Sequence, residues 1–192
     1  ASRANALAGR NRNLPGYGSC GVCGSADIDS VLRAPPRIES PLHIDEAALH
    51  RALAALHQRQ PLNAATGATH AAGFANRDGE LLLVREDVGR HNALDKLIGA
   101  LRPRGTDPQA GFVVVTSRAS FEMVQKAARA GFPLLAAISA PTALAVKVAE
   151  QAGLTVLPNY SFLEAPAMDA FLIPGGFGTR QELHTRRLHE LI

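Results

Sequence analysis

The chain has 192 residues, a net charge of +3, two cysteines, seven histidines and no tryptophan. That length holds one domain with a core of its own plus extensions, and no apolar run is long enough to cross a membrane as a helix. A mild positive charge with few aromatics lacks the basic stripe and stacking platforms of a nucleic-acid binder, and suits a small anionic partner instead.

Residues 1–40 read as irregular. Ala1 to Leu14 is polar and basic, without the apolar segment of a secretory signal. The chain opens on alanine, so it is read as a possible piece of a longer protein. A basic stretch from Arg3 to Arg12 leads to Gly18-Ser19-Cys20-Gly21-Val22-Cys23-Gly24, which holds both cysteines. Glycines on every side, with Pro15-Gly16 just before, predict a loop that presents its sulfurs. Two thiols at CxxC spacing favour a low-pKa thiolate that attacks or carries sulfur, and Arg10 and Arg12 would favour it further. A zinc half-site completed by another chain or a ligand, and a small structural disulfide, compete with this reading. Zinc would need a second ligand pair, yet there is no third cysteine, and His184 and His189 lie at the far end. Reactive Cys20 and Cys23 without a disulfide framework predict a reducing cytoplasm.

Beyond a short strand or turn at Ile28–Leu32, a helix is predicted from an Asp45 N-cap, with Leu49, Leu53 and Leu56 on one face. Proline should stop it near Gln60-Pro61. A hairpin follows: Thr69–Ala75, a turn at Asn76-Arg77-Asp78-Gly79, and Glu80–Val84. Arg85–Arg90 then crosses into a helix over His91–Leu101. Strand and helix alternate after that, as Phe112–Thr116, Ser120–Ala130, Leu134–Ile138, Thr142–Ala152 and Thr155–Leu157, with Gly131 and Gly153 at C-cap positions. Apolar strands without alternation imply a mainly parallel sheet covered on both faces, a three-layer α/β/α sandwich. Ligands bind such sheets at the carboxyl ends of the strands.

The polar clusters fall at those ends. Thr66, Gly67, Thr69 and His70 form a small-residue loop whose amides and hydroxyls suit an anion, or an ordinary turn. Arg85-Glu86-Asp87-Val88-Gly89-Arg90-His91-Asn92 offers two guanidinium forks at a helix N-terminus, a phosphate-recognition pattern. The competing reading is that Glu86 and Asp87 neutralise those arginines internally. Asp95 and Lys96 are either site residues or a solvated pair. Ser117, Arg118 and Ser120 repeat the pattern at the next junction.

Taken in order, Asn13-Leu14-Pro15-Gly16, the CxxC loop, Thr66-Gly67 with His70-Ala71-Ala72, Arg85 through Lys96, Ser117 through Glu122 and Gln125-Lys126-Ala127 resemble the formate dehydrogenase accessory sulfurtransferase family (FdhD) over residues 5–157. The resemblance implies a cytidine-deaminase-like fold. It also implies a sulfurtransferase that takes persulfide sulfur from a cysteine desulfurase and passes it to the molybdenum or tungsten bis-guanine-dinucleotide cofactor for the catalytic subunit of formate dehydrogenase. Cys20 is then the carrier and Cys23 its partner or a second carrier. Asp87, Gly89, Arg90, His91 and Asn92, with Arg85 and the Thr66–His70 and Ser117–Ser120 groups, face the cofactor. A homodimer is implied, and neither nucleic acid nor membrane is a partner. Deaminase zinc ligands are missing where the junctions read His91-Asn92-Ala93 and Ser117-Arg118-Ala119-Ser120, which excludes that chemistry on ligand count. The family carries a further domain ahead of the CxxC loop. Residues 153–192, with Pro174-Gly175-Gly176, are similar to a fragment of the PfpI-type class I glutamine-amidotransferase-like family without its nucleophilic cysteine, and 158–192 are expected as an extra strand-loop-helix. The chain thus divides into a loop segment (1–40), a sandwich domain (41–157) and an appendage (158–192). A non-catalytic cofactor-binding module is the alternative function, and a thiol-disulfide oxidoreductase a weaker third.

Overall fold

A computed structural model describes residues 34–39 and 42–158. The CxxC loop, Ile28–Leu32 and all of the 158–192 appendage except Pro158 lie outside the described residues.

Helix α1 (Glu46–Gln58) starts where the Asp45 carboxylate accepts the Ala48 amide, and buries Ala48, Ala52, Leu53 and Leu56. Pro61 does not merely stop it. It opens a second short helix, α2 (Pro61–Thr66), with proline in the first turn and Gly67 at φ 64° closing it. A fixed φ and a missing N–H suit the first helical position as well as they end a helix. Strand β1 (His70–Asn76) and strand β2 (Leu81–Asp87) form the hairpin, and β2 runs three residues further than the apolar pattern alone suggests. Helix α3 (Arg90–Leu101), strand β3 (Gly111–Arg118), helix α4 (Phe121–Ala130), strand β4 (Leu134–Ser139), helix α5 (Ala143–Ala152) and strand β5 (Thr155–Pro158) complete the order. Gly131 and Gly153 close α4 and α5 in the left-handed region, at φ 91° and 66°.

The five strands lie in the order β2-β1-β3-β4-β5. Neighbours β2/β1 and β1/β3 are antiparallel, and β3/β4 and β4/β5 are parallel. The sheet is therefore mixed, which corrects the expectation of a mainly parallel one. What the unbroken apolar runs report is burial on both faces. Ala72, Phe74, Val113, Val115, Leu135 and Ala137 point into a core with α3, α4 and α5. The intervening Ala71, Ala75, Phe112, Val114, Leu134 and Ala136 point into a second core against α1. That is the three-layer α/β/α sandwich. Helices on both sides remove the apolar–polar alternation of an antiparallel strand as completely as of a parallel one.

Candidate functional site at one edge of the sheet

Strand β1 runs opposite to the other four, so its start lies level with their ends. His70 pairs with Asp87, Ala72 with Val115, and Arg118 with Ser139. The Thr116 hydroxyl accepts the Ala71 amide at 2.9 Å across that edge. Thr66–His70, Arg85–Asn92 and Ser117–Ser120 are thus brought to one edge of one sheet.

Thr66 and Gly67 finish α2, where the Thr66 hydroxyl donates to the Leu62 carbonyl at 2.7 Å. Thr69 donates its hydroxyl to Glu86 Oε1 at 3.1 Å, and the same carboxylate accepts the Leu62 and Asn63 amides at 3.0 and 2.8 Å. Glu86 therefore caps α2. Asp87 accepts the Gly89 amide at 2.9 Å and the Asn92 side-chain amide at 3.0 Å, and forms an ion pair with Lys96. The Lys96 ammonium above all, then the Gly89 and Asn92 donors, hold its carboxyl down at about 2 from the usual 3.8. Neither carboxylate is spent on Arg85 or Arg90, so internal neutralisation of these arginines is not what the charged segment does. Asp95 and Lys96 are not paired with each other either, since Asp95 meets Lys126 of α4 at 2.5 Å.

The Asp95–Lys126 pair sets the geometry of the edge. Each residue is the sixth of its helix, so α3 and α4 lie side by side with their N-termini level. Helices α1 and α5 are capped by the Asp45 and Thr142 side chains. Helices α3 and α4 have no side-chain cap, although Ser120 occupies the N-cap position of α4. Instead, the Ser120 hydroxyl, His91 Nδ1 and Arg90 Nε are buried polar atoms without a hydrogen-bond partner. His91 and Ser120 are 7% and 5% exposed. Burial chiefly, then the Arg90 and Lys126 charges, lower the His91 pKa against the opposing pull of Glu122 and Asp95, which leaves a neutral imidazole at pH 7. Ser117, also buried, donates to the Arg118 carbonyl at 3.2 Å, and Arg118 is exposed.

Two level helix N-termini, a buried guanidinium nitrogen and a hydroxyl form a donor-rich end that complements an oxyanion. No three His, Cys, Asp or Glu side chains converge on a metal position among the described residues. No helix among them is long and apolar enough to cross a membrane. Lys126 was legible only as a motif within the resemblance, and Asp95 only as a site residue or half of a solvated pair with Lys96. Their physical signal is a lysine beside buried Gln125 on a helix that is otherwise packed with Met123, Val124, Ala127 and Ala128.

An α/β/α sandwich with a mixed five-stranded sheet and its polar junctions gathered at one edge is the class that fold and site define. The FdhD/NarQ family profile matches residues 1–162, and the chain belongs to that family. It is 63% identical over 155 residues to a sulfur carrier protein FdhD of Xanthomonas campestris pv. campestris (strain B100), covering 81% of this chain and 55% of the relative. To the protein of the same description from Bordetella parapertussis it is 54% identical over 150 residues, covering 77% and 54%. A crystal structure of a formate dehydrogenase accessory protein from Desulfotalea psychrophila superposes with TM-score 0.61 at 27% identity, over 69% of this chain and 56% of that one. The chain spans about half the length of the curated relatives it matches.

Proposed function

We propose that this chain is a sulfur carrier that loads a guanine-dinucleotide metal cofactor for formate dehydrogenase maturation. Family membership supports the sulfur-carrying part. The observation that carries the cargo site is the set of three buried polar atoms without partners, Arg90 Nε, His91 Nδ1 and Ser120 Oγ, at two level helix N-termini. Buried polar groups are paired in folded proteins with few exceptions, and each of these three can donate to a phosphate oxygen, His91 through its Nδ1–H tautomer. Arg118, Asn92, Ser117 and the Thr69–His70 corner of the same edge lie beside them. The molybdenum or tungsten bis-guanine-dinucleotide cofactor is the substrate, placed with phosphates toward this end.

The sulfur arrives from a cysteine desulfurase. A Cys20 thiolate attacks the terminal sulfur of the desulfurase persulfide, a new S–S bond forms on Cys20 as the old one breaks, and the desulfurase cysteine leaves as thiolate. Attack of the Cys23 thiolate on Cys20 Sγ would then release the carried sulfur as hydrosulfide and leave a Cys20–Cys23 disulfide, which a cellular dithiol reduces. The protein works in this reading as a cytoplasmic homodimer beside the catalytic subunit of formate dehydrogenase.

The cargo half is tested by guanosine diphosphate affinity. Alanine at Arg90 together with Arg118 should weaken it at least about tenfold, the effect of one lost charge-assisted bond. Unchanged affinity in a folded double variant would contradict the placement.

A further inference from the structure

Along the outer side of β2, an edge strand of the sheet among the described residues, runs an open cleft of about 590 Å³ lined by Arg59, Pro61, Leu62, Val84, Arg85, Glu86 and Lys96. That volume lies within the range of small-molecule sites.

The acceptors that line the cleft are already engaged, and its unengaged groups are donors. An edge strand ordinarily offers both carbonyls and amides to a partner. Here the carbonyls are taken: Leu81 by Arg59, Val84 by Arg85 at 2.8 Å, and Glu86 by Lys96 at 3.1 Å. A residue in an antiparallel ladder turns its N–H to the same side as its C=O, so the Val84 and Glu86 amides face the cleft with no acceptor described for them. The one carboxylate in the lining, Glu86, already accepts three donors from α2 and Thr69. Lys96 is paired with Asp87. Arg59 and Arg85 form no ion pair among the described residues. Each has one nitrogen on a carbonyl, out of a fork of five N–H donors. An extended peptide would find no free carbonyl for its own amides. An oxyanion meets the Arg59 and Arg85 forks beside a Glu86 carboxylate already engaged by three donors, with Pro61, Leu62 and Val84 as an apolar floor for what it is attached to. Leu62 is 53% exposed, a large apolar side chain left uncovered beside those arginines.

We propose that this edge cleft is a second oxyanion site, which takes a small phosphate- or carboxylate-bearing molecule between Arg59 and Arg85. Its lining contains none of Arg90, His91 and Ser120, although Arg85 and Glu86 join it to the Arg85–Asn92 segment, and it stands whether or not the strand-end site holds a cofactor.

The test is titration calorimetry on the full chain carrying Arg90→Gln and Arg118→Gln, so that the strand-end site is disabled. Pyrophosphate and citrate serve as probes for the two oxyanion chemistries. One binding event per chain is expected for at least one probe, weakened about tenfold by Arg59→Gln and less by Arg59→Lys, which keeps the charge and loses the fork. Whichever probe binds identifies phosphate or carboxylate as the ligand class. No binding of either probe overturns the proposal, as does binding that Arg59→Gln leaves unchanged. If Arg59→Gln loses its native circular dichroism, the Arg59→Lys protein decides, with unchanged affinity counting against the site. Failure of the cargo reading shows differently, as guanosine diphosphate affinity that is indifferent to Arg90 and Arg118 while Arg59 still governs pyrophosphate or citrate.

Discussion

His91 and Asp87 sit four residues apart where β2 gives way to α3, and each couples protonation to folding in the same direction. Folded His91 resists the proton that the unfolded chain accepts near its ordinary 6.5, so its contribution to stability is complete above that pH and declines as pH falls below it. Thermal denaturation from about pH 7 to about pH 5 should show a falling midpoint, with a flatter profile for His91→Gln. Asp87, held at about 2 against an ordinary 3.8, keeps its full contribution above about pH 4 and loses it as pH falls toward about 2. Asp87→Asn should remove that lower slope. It should also cost about 1 kcal/mol at neutral pH through the lost Lys96 and Gly89 interactions, as read by urea denaturation. The charged segment itself was plain in the sequence. Which charge pairs with which was not, because Asp87–Lys96 and Asp95–Lys126 depend on where α3 lies against β2 and α4.

At the scale of elements, the hairpin turn shows how closely a local signal is tied to packing. Gly79 has φ 82°, and a Cβ there would stand 2.1 Å from the Ala48 carbonyl oxygen of α1. Arg51 of the same helix donates to the Asp78 carbonyl at 2.9 and 2.7 Å. Gly79→Ala should therefore cost on the order of 2 kcal/mol, measured by chemical denaturation, whereas alanine at open Gly99 should not destabilise α3. Asn76-Arg77-Asp78-Gly79, the Asp45 cap and the C-cap glycines 131 and 153 were all legible, since each is a local backbone requirement written in residue type. Helix α2 was not, because Pro61 reads equally as an end and as a beginning. The β-bulge that pairs Phe74 with Leu83 but Ala75 with Leu81 leaves Leu82 exposed, and no local signal marks it.

For the molecule as a whole, the order of helices and strands and the antiparallel hairpin were readable, and the antiparallel pairing of β1 with β3 was not. Periodicity records which faces are buried, and β1 is covered on both although its neighbours run against it. The gathering of three junctions at one edge follows from that reversal, which puts His70 level with Asp87. Phe74 and Phe132, with ring centroids 5.8 Å apart, lie in the core toward the other end of the strands, where Phe74 pairs with Val113 and Phe132 precedes β4. Phe74→Ala should cost about 3–5 kcal/mol and weaken guanosine diphosphate binding only as far as the fold is lost. Sulfur carriage is read directly by intact-mass spectrometry. The full chain is incubated with a cysteine desulfurase and cysteine, beside Cys20→Ala and Cys23→Ala. A gain of about one sulfur mass in the wild type that Cys20→Ala abolishes is the predicted result. A folded wild-type chain that gains no sulfur would contradict the account and leave the chain as a cofactor-binding module without carriage of its own.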